Sequence, residues 1–439
     1  MIRYTKVKLG DICRIEKGRT GIASAVPGEY PLVVTAEERK ICDEYQFDCE
    51  AVCIPLVSSS GHGKKSLKNV HYQSGKFALG SILCAVIPNN PQEVNARYLH
   101  QYLQFYKDTL LVPLMKGAAN VSLSMRDIAK VEIPLPDFDT QAALAKTFVE
   151  AQKKQKLLDA EFEKQTEYAK RLRQNILQEA IEGKLTAEWR KTHPAEKGNP
   201  DFDAQALFEQ IQKEKCHTDS ILLTQNQKKK HKGKSLDFPN PCDNDYPFEI
   251  PESWKWVRLG EIINLLSGRD FEPEEYNNKN LGVPYITGAS NFGDNGIIIN
   301  RWTQNPKCIA KKGDLLLVCK GSGYGTLAYA DFNEAHIARQ IMSITPVSDF
   351  MVLNYIEYIL QSNFQFLKSK GKGLIPGIDR GTVLSIPVGV PPLAEQKEIV
   401  AKVESMLAKV AELENQIFQR KEYADKLMKS ILKDAFEKK

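Results

Sequence analysis

The chain has no run approaching the roughly 20 apolar residues needed to cross a bilayer. Its first residues, Met1-Ile2-Arg3-Tyr4-Thr5-Lys6, lack the apolar core of a secretory signal. An ordered cysteine framework is missing too. Nine cysteines is an odd number, spread without regular spacing, which suits a reducing compartment and mostly buried thiols. Nor does one sign of charge dominate. Sixty Lys and Arg against 55 Asp and Glu leave a net +5, a mild lean that does not by itself identify an anionic partner. The expectation is a soluble, cytoplasmic protein with no membrane segment. At 439 residues and 42% apolar content, one core is too few, and two or three domains are expected.

Catalytic patterns are equally scarce. Gly61-His62-Gly63-Lys64-Lys65-Ser66 resembles the tail of a phosphate loop, but the first glycine of G-x-x-x-x-G-K-[ST] is absent. Gly321-Ser322-Gly323-Tyr324-Gly325 is not G-x-G-x-x-G, and no helix-forming segment follows it. Cys49 and Cys53, with His62 and the upstream Cys42, match no paired C-x-x-C scheme. Buried structural thiols are the better reading, and no metal is expected. There is no H-E-x-x-H and no Ser/His/Asp arrangement. Pro136-Asp137 and Pro200-Asp201 are not followed by the E-x-K of a nuclease centre, and neither half carries the [ND]-P-P-[YF] of amino-methyltransferases. No catalytic residue is expected, and the chain is read as not being an enzyme.

What the chain does have is a repeat. Glu167-Tyr168-Ala169-Lys170-Arg171-Leu172 returns 255 positions later as Glu422-Tyr423-Ala424-Asp425-Lys426-Leu427. Ile176-Leu177, Ala180 and Glu182 return as Ile431-Leu432, Ala435 and Glu437, and Gln141 and Leu144 correspond to Gln396 and Ile399. Val7-Lys8-Leu9-Gly10-Asp11-Ile12 is echoed by Val257-Arg258-Leu259-Gly260-Glu261-Ile262, and Lys17-Gly18-Arg19 by Ser267-Gly268-Arg269. Between these anchors the halves diverge. A shared frame with two different inserts points to a pseudo-two-fold molecule doing one job with two specificities.

Each half opens with short β-branched runs bordered by Gly or Pro: Tyr30–Thr35 and Gly80–Ile87, then Val283–Thr287 and Gly313–Val318. A short helix is expected in each, around Ala96–Tyr106 and Leu353–Leu367. Long helices follow. Leu144, Phe148, Ala151, Gln155, Leu158, Phe162, Gln165, Ala169, Leu172 and Ile176 alternate spacings of four and three. Ile399, Val403, Met406, Val410, Leu413, Ile417, Arg420, Ala424, Leu427 and Ile431 keep the same register. This is heptad spacing over about five heptads. No proline or glycine interrupts 140–182 or 393–437, so each helix would run roughly 65 Å. Such seams need a partner, and antiparallel packing on each other is the economical solution. Gln165 and Arg420 break the seam and could set its register or simply be solvated.

Between the first helix and the second globule, residues 186–250 are a poor core-former. They hold Lys228-Lys229-Lys230-His231-Lys232-Gly233-Lys234 and prolines 239, 241 and 247. A weakly amphipathic stretch, Asp203–Lys215, could be a short helix; the rest reads as a mobile linker. The lysine run is read as a solvated tether, although it could brush a phosphate backbone.

Basic and small polar residues cluster in turn-like stretches of each globule. In the first half the candidates are Lys17 and Arg19, then Ser60, His62, Lys64 and Lys65, then Lys116, Asn120 and Arg126. In the second they are Arg269, Ser290, Asn291, Lys320, Ser322, Tyr324, Arg339, Lys370, Lys372 and Arg380, with Gln340 beside Arg339. Lys and Arg neutralise phosphates, Ser and backbone N–H position them, and Arg, Asn or Gln can read base edges. A Gly/Lys loop is as often an ordinary hydrated turn. Recurrence at matching places in both halves favours binding of double-stranded DNA.

The layout resembles one family, the specificity (S) subunits of type I restriction-modification systems. Ala180–Arg190 closing the first helix, Pro251–Gly260 opening the second globule and Pro392–Val400 starting the second helix look characteristic of it. Pro136-Asp137-Phe138-Asp139-Thr140-Gln141-Ala142 is a looser version of that helix start. The resemblance covers essentially the whole chain. It implies an α+β architecture of two mixed α/β target-recognition domains, each followed by a long helix, with the helices packed as an antiparallel coiled coil. The boundaries expected are 1–138 and 251–392 for the domains, 139–185 and 393–439 for the helices, and 186–250 for the linker. It implies one DNA half-site per globule, read in the major groove, and helices that space the half-sites. Two methyltransferase (M) subunits and restriction/translocase (R) subunits would be partners. S-adenosylmethionine, ATP and magnesium would belong to those subunits, and this chain would hold no cofactor. Outside the resemblance, a non-catalytic adaptor whose globules bind protein surfaces stays open.

Overall fold

The computed structural model describes residues 4–60, 63–118, 120–225, 246–293, 296–321, 323–363 and 377–436. The chain forms two units, Met1–Lys164 with Ile417–Lys439, and Gln165–Gln416.

In the first unit, β1 (Lys6–Lys8) and α1 (Leu9–Ile12) lead into β2 (Cys13–Lys17), followed by β3 (Tyr30–Val33), β4 (Lys40–Cys42), β5 (Phe47–Asp48), β6 (Ala51–Pro55), β7 (His71–Gln73), β8 (Lys76–Leu79) and β9 (Leu83–Pro88). Helices α2 (Ala96–Leu110) and α3 (Met125–Ala129) precede β10 (Glu132–Pro134), which pairs antiparallel with β1. One sheet has the order β2-β9-β6-β7, all antiparallel; a second has β4-β3-β8-β5, with β3 and β8 parallel. The run Ala51-Val52-Cys53-Ile54-Pro55 and most of β9 are apolar without alternation because both faces are covered. Val52, Ile54, Cys84 and Val86 face α2, packing with Tyr98, Leu99 and Leu103. Ala51, Cys53, Leu83 and Ala85 face the second sheet, packing with Val33, Phe47, Phe77 and Leu79. Asn95 starts α2 by accepting the N–H groups of Arg97 and Tyr98 at 3.0 and 3.1 Å.

The second unit repeats this plan. Helices α5 (Ala187–Thr192) and α6 (Ala204–Gln225) come first, then β11 (Lys255–Arg258), α7 (Leu259–Ile262), β12 (Ile263–Ser267), β13 (Val283–Ile286), the short hairpin β14 (Phe292–Gly293) and β15 (Gly296–Ile297), β16 (Trp302–Thr303), β17 (Ile309–Lys311), β18 (Leu315–Val318), β19 (Leu327–Tyr329), β20 (Glu334–Ile337) and β21 (Ile341–Pro346). Helices α8 (Leu353–Ser362) and α9 (Arg380–Leu384) and strand β22 (Pro387–Val390) complete it. Sheet orders β12-β21-β18-β19 and β16-β13-β20-β17 reproduce those of the first unit strand for strand, including one parallel pair, β13 with β20.

Two long helices, α4 (Phe138–Ile181) and α10 (Leu393–Phe436), have 44 residues each. Helix α4 ends at Gly183, whose φ of +74° is a left-handed conformation suited to glycine. Lys184 N–H reaches back to Glu179 O at 2.9 Å. The helices pair antiparallel within each unit. In the first, Phe148 and Phe436 rings lie 4.9 Å apart, and Gln155 Nε2 donates to Asp425 Oδ1 at 2.7 Å. In the second, Arg173 Nη2 bonds Glu414 Oε2 at 3.1 Å, and Lys402 Nζ donates to Leu185 O at 3.2 Å. The seam differs from its expected form. Phe148, Phe162, Ile176, Val403 and Val410 are buried, but Leu158, Leu172, Leu413, Leu427 and Ile431 are exposed. Arg420 is exposed, which fits the solvated reading of that position rather than a register-setting one.

The stretch expected to be mostly linker is more ordered than its composition suggests. Helix α6 runs past the expected Asp203–Lys215 to Gln225, and Ala204, Leu207 and Ile211 in its first part make one buried face. Gln212 and Lys215 donate to the backbone of Glu261 and Gly260 at 3.2 and 3.0 Å. The lysine run at 228–234 lies outside the described residues. Among the described residues, no helix is long and apolar enough to cross a membrane.

Candidate nucleic-acid interface

In the first unit the candidate stretches meet at one end of the β2-β9-β6 sheet. Strand β2 delivers Lys17 and Arg19, both exposed, to that end. Gly18 between them lies against the following turn: a Cβ there would sit 2.2 Å from Gly80 O, so only glycine fits. Gln46 clamps the pair, donating Nε2 to Lys17 O and accepting Arg19 N–H on Oε1, both at 2.9 Å. Ser81 N–H donates to Thr20 O at 2.9 Å, and Leu56 N–H to Ile82 O at 2.8 Å, tying this turn to the loop after β6. That loop carries Ser60, Lys64 and Lys65, all exposed, and is organised by Ser58, Ser59 and Ser66; Ser60 Oγ lies 2.7 Å from Ser66 Oγ. Ser58 N–H donates to Val121 O at 3.0 Å, so the loop adjoins the stretch bearing Lys116, Asn120 and Arg126. Those three are exposed, and Lys116 Nζ pairs with Asp127 at 3.2 Å. His62 lies outside the described residues.

The second unit builds the same end from different side chains. Gly268 packs on Ala338 O as Gly18 packs on Gly80 O, and its N–H donates to Ile341 O at 3.0 Å. Arg269 is exposed, and its carbonyl is within hydrogen-bonding distance of His336 Nε2 at 2.8 Å. His336 is buried, stacked on Phe271 at 4.0 Å, and burial holds its pKa below the usual histidine value. Strand β18 delivers Lys320, half-buried, whose residue bridges antiparallel to Gly377. A Cβ on Gly323 would fall 2.4 Å from that of Ala289, which places the loop of Lys320 and Tyr324 beside Ser290. Gln340 Oε1 would lie 2.7 Å from a Cβ on Gly288, so the β20–β21 turn of Arg339 and Gln340 completes the cluster.

Two candidates have structural roles. Asn291, expected among the DNA contacts, is 0% exposed. Its Oδ1 accepts from Thr287 N, Thr287 Oγ1 and Gly288 N at 2.9, 3.0 and 3.2 Å, and its Nδ2 donates to Ile298 O at 2.7 Å. It shapes the loop rather than reading a base. Arg380 sends Nη1 to Leu265 O, bracing strand β12. Ser322, Lys370 and Lys372 lie outside the described residues. Gln46 and His336 were missed because their partners are remote in sequence and follow no period. Cys42 and Cys53 are buried, and burial raises the Cys53 thiol.

The fold and its two loop clusters define a duplicated recognition protein, in which one sheet frame is used twice to present different side chains. The chain belongs to the type I restriction-modification DNA specificity family, whose domain matches it twice, at residues 1–170 and 251–420. It is similar to the Escherichia coli type I restriction enzyme EcoDI specificity subunit, 22% identical over 99% of this chain and 88% of that one. It is also similar to the Methanocaldococcus jannaschii MjaVIII specificity subunit, 27% identical over 43% of each chain. A solved chain from work on assembly and conformational transition of a type I R-M system shares the fold, with a TM-score of 0.63 over 99% of this chain and 98% of that one at 19% identity. The chain is thus a specificity subunit with two target-recognition domains, an assignment that does not favour the adaptor reading.

Proposed function

We propose that this chain binds a bipartite, gapped site in double-stranded DNA in the cytoplasm, one half-site per target-recognition domain, and itself catalyses nothing. The observation that carries the reading is the matched placement of two basic, polar loop clusters at the same end of two equivalent sheets. Lys64, Lys65 and Lys320 neutralise phosphates, while exposed Arg19, Asn120, Arg126 and Arg339 are suited to base edges. The domains are 1–138 and 251–392; the helices 139–185 and 393–439 carry two methyltransferase subunits, which in turn recruit restriction/translocase subunits. Exposed Leu158, Leu172, Leu413, Leu427 and Ile431 support that scaffold role. S-adenosylmethionine, ATP and magnesium are used by those partners.

Exchanging Met1–Pro136 for the matching region of a relative tests the division of labour. One half-site should change and the other persist. A change in both halves contradicts one domain per half-site.

A further inference from the structure

We infer that Arg339, braced by Asp270, reads a guanine in one half of the DNA site, an inference that rests on the DNA-binding reading above. Arg339 stands in the β20–β21 turn, which Ile341 closes by donating its N–H to Ala338 O at 2.9 Å. Its backbone is held on both sides. Arg339 N–H donates to Asp270 Oδ1 at 3.0 Å, and its carbonyl accepts from Cys319 Sγ at 3.5 Å. The side chain turns back to the same carboxylate, with Nε 3.1 Å from Asp270 Oδ2.

A guanidinium anchored through Nε keeps the edge formed by its two terminal amino groups for another partner. That edge matches the O6 and N7 acceptors that guanine shows in the major groove. The side chains are 68% and 46% exposed, so the ion pair contributes little to folding. What it fixes is the direction of the fork. Beside it, Gly321 and Gly323 present no side chains, and the Gln340 carboxamide stands between Gly288 and Gly321.

The first unit has the same turn without the device. Leu83 N–H closes it onto Gly80 O at 2.9 Å, as Ile341 does onto Ala338. The residue in the place of Arg339 is Ser81, whose N–H goes to the backbone oxygen of Thr20 rather than to a carboxylate. A guanine read from this turn therefore belongs to one half-site only.

The test uses the full chain expressed with its methyltransferase partner, followed by mapping of modified sites. The wild-type motif should contain a G·C pair whose identity is lost in Arg339→Ala, with discrimination falling roughly 5- to 150-fold at that pair. Asp270→Asn, which retains an oxygen for the backbone N–H, should relax the same pair by less. Persistence of the other half-site shows that the variants are folded. An unchanged motif in Arg339→Ala overturns the inference. So does uniformly weaker binding of all sequences with a salt slope reduced by about one, the mark of a phosphate contact. Failure of the wild-type chain to direct any gapped motif overturns the DNA-binding reading itself, and this inference with it.

Discussion

Gln141 Oε1 accepts the Asn95 N–H at 2.9 Å, while its Nε2 donates to Glu93 O and Pro136 O at 2.9 and 2.8 Å. One fully buried carboxamide thus ties the start of α4 to the start of α2. Gln396 repeats the arrangement, accepting Val352 N–H at 3.0 Å and donating to Pro391 O at 3.1 Å. Nearby, Tyr98 Oη donates to Pro134 O at 2.6 Å and Tyr355 Oη to Gly389 O at 2.7 Å. Gln141→Ala should destabilise the protein by about 1–3 kcal/mol, the range for stranding a buried polar group, and Gln396→Ala should do likewise. Denaturant melts of each variant measure this, and an unchanged midpoint would remove these residues from the frame.

Glu395 is buried, and accepts from Thr186 Oγ1 at 2.6 Å, Trp254 Nε1 at 2.9 Å and Arg190 Nη1. It joins the residues after α4, the segment before β11 and the first turn of α10. Glu395→Ala leaves Arg190 without its carboxylate and should cost about 3–5 kcal/mol. Thermal unfolding checks the loss. A cost below about 1 kcal/mol would show that water replaces the carboxylate without penalty.

The sequence repeat foretold the frame well, and for a physical reason. Residues that close a core recur with the period of their element, so the heptads of α4 and α10 and the strands β3, β9, β13 and β18 were legible, whereas β6 and β21, flanked by no clear turn signal, were not. Contacts between remote residues have no period. Nothing in the sequence marks Gln46 as the clamp on Lys17 and Arg19, or His336 as the neighbour of the Arg269 carbonyl. Asn291 shows the converse: a residue type suited to reading adenine is spent on its own loop. The partial exposure of the seam was also hidden, because heptad spacing identifies an apolar stripe without fixing what covers it.

That exposed stripe gives a separable prediction. Leu427 and Ile431 are 49% and 46% exposed, so Leu427→Glu with Ile431→Glu should leave the melting temperature within a few degrees. The same pair should reduce co-purification with methyltransferase subunits at least tenfold. Undiminished co-purification would place the docking surface elsewhere.

Buried histidines set a pH dependence. Burial, with the nearby Arg39 charge, lowers the pKa of His71 to about 4, so the folded protein resists a proton that the unfolded chain accepts below about 6.5. The stability this neutral histidine contributes is complete above that value and is lost as pH falls toward 4, by on the order of 3 kcal/mol. His71→Gln should show a shallower decline in stability between pH 7 and pH 4 than the wild type. Identical slopes would show that His71 does not titrate with unfolding.

Phosphate contacts should behave unlike base contacts. Lys64→Ala and Lys320→Ala should each weaken binding to all duplexes alike and lower the salt slope by about one, leaving the recognised sequence intact. Titrations at several salt concentrations measure it; unaltered affinity in both variants would move the interface off these loops.

On the function proposed above, this chain supplies sequence specificity to a methyltransferase. The methylome of a host expressing a type I methyltransferase subunit with and without this chain tests it. A bipartite, gapped modified motif should appear only when the chain is present. No such motif, with the methyltransferase shown to be active, would contradict it.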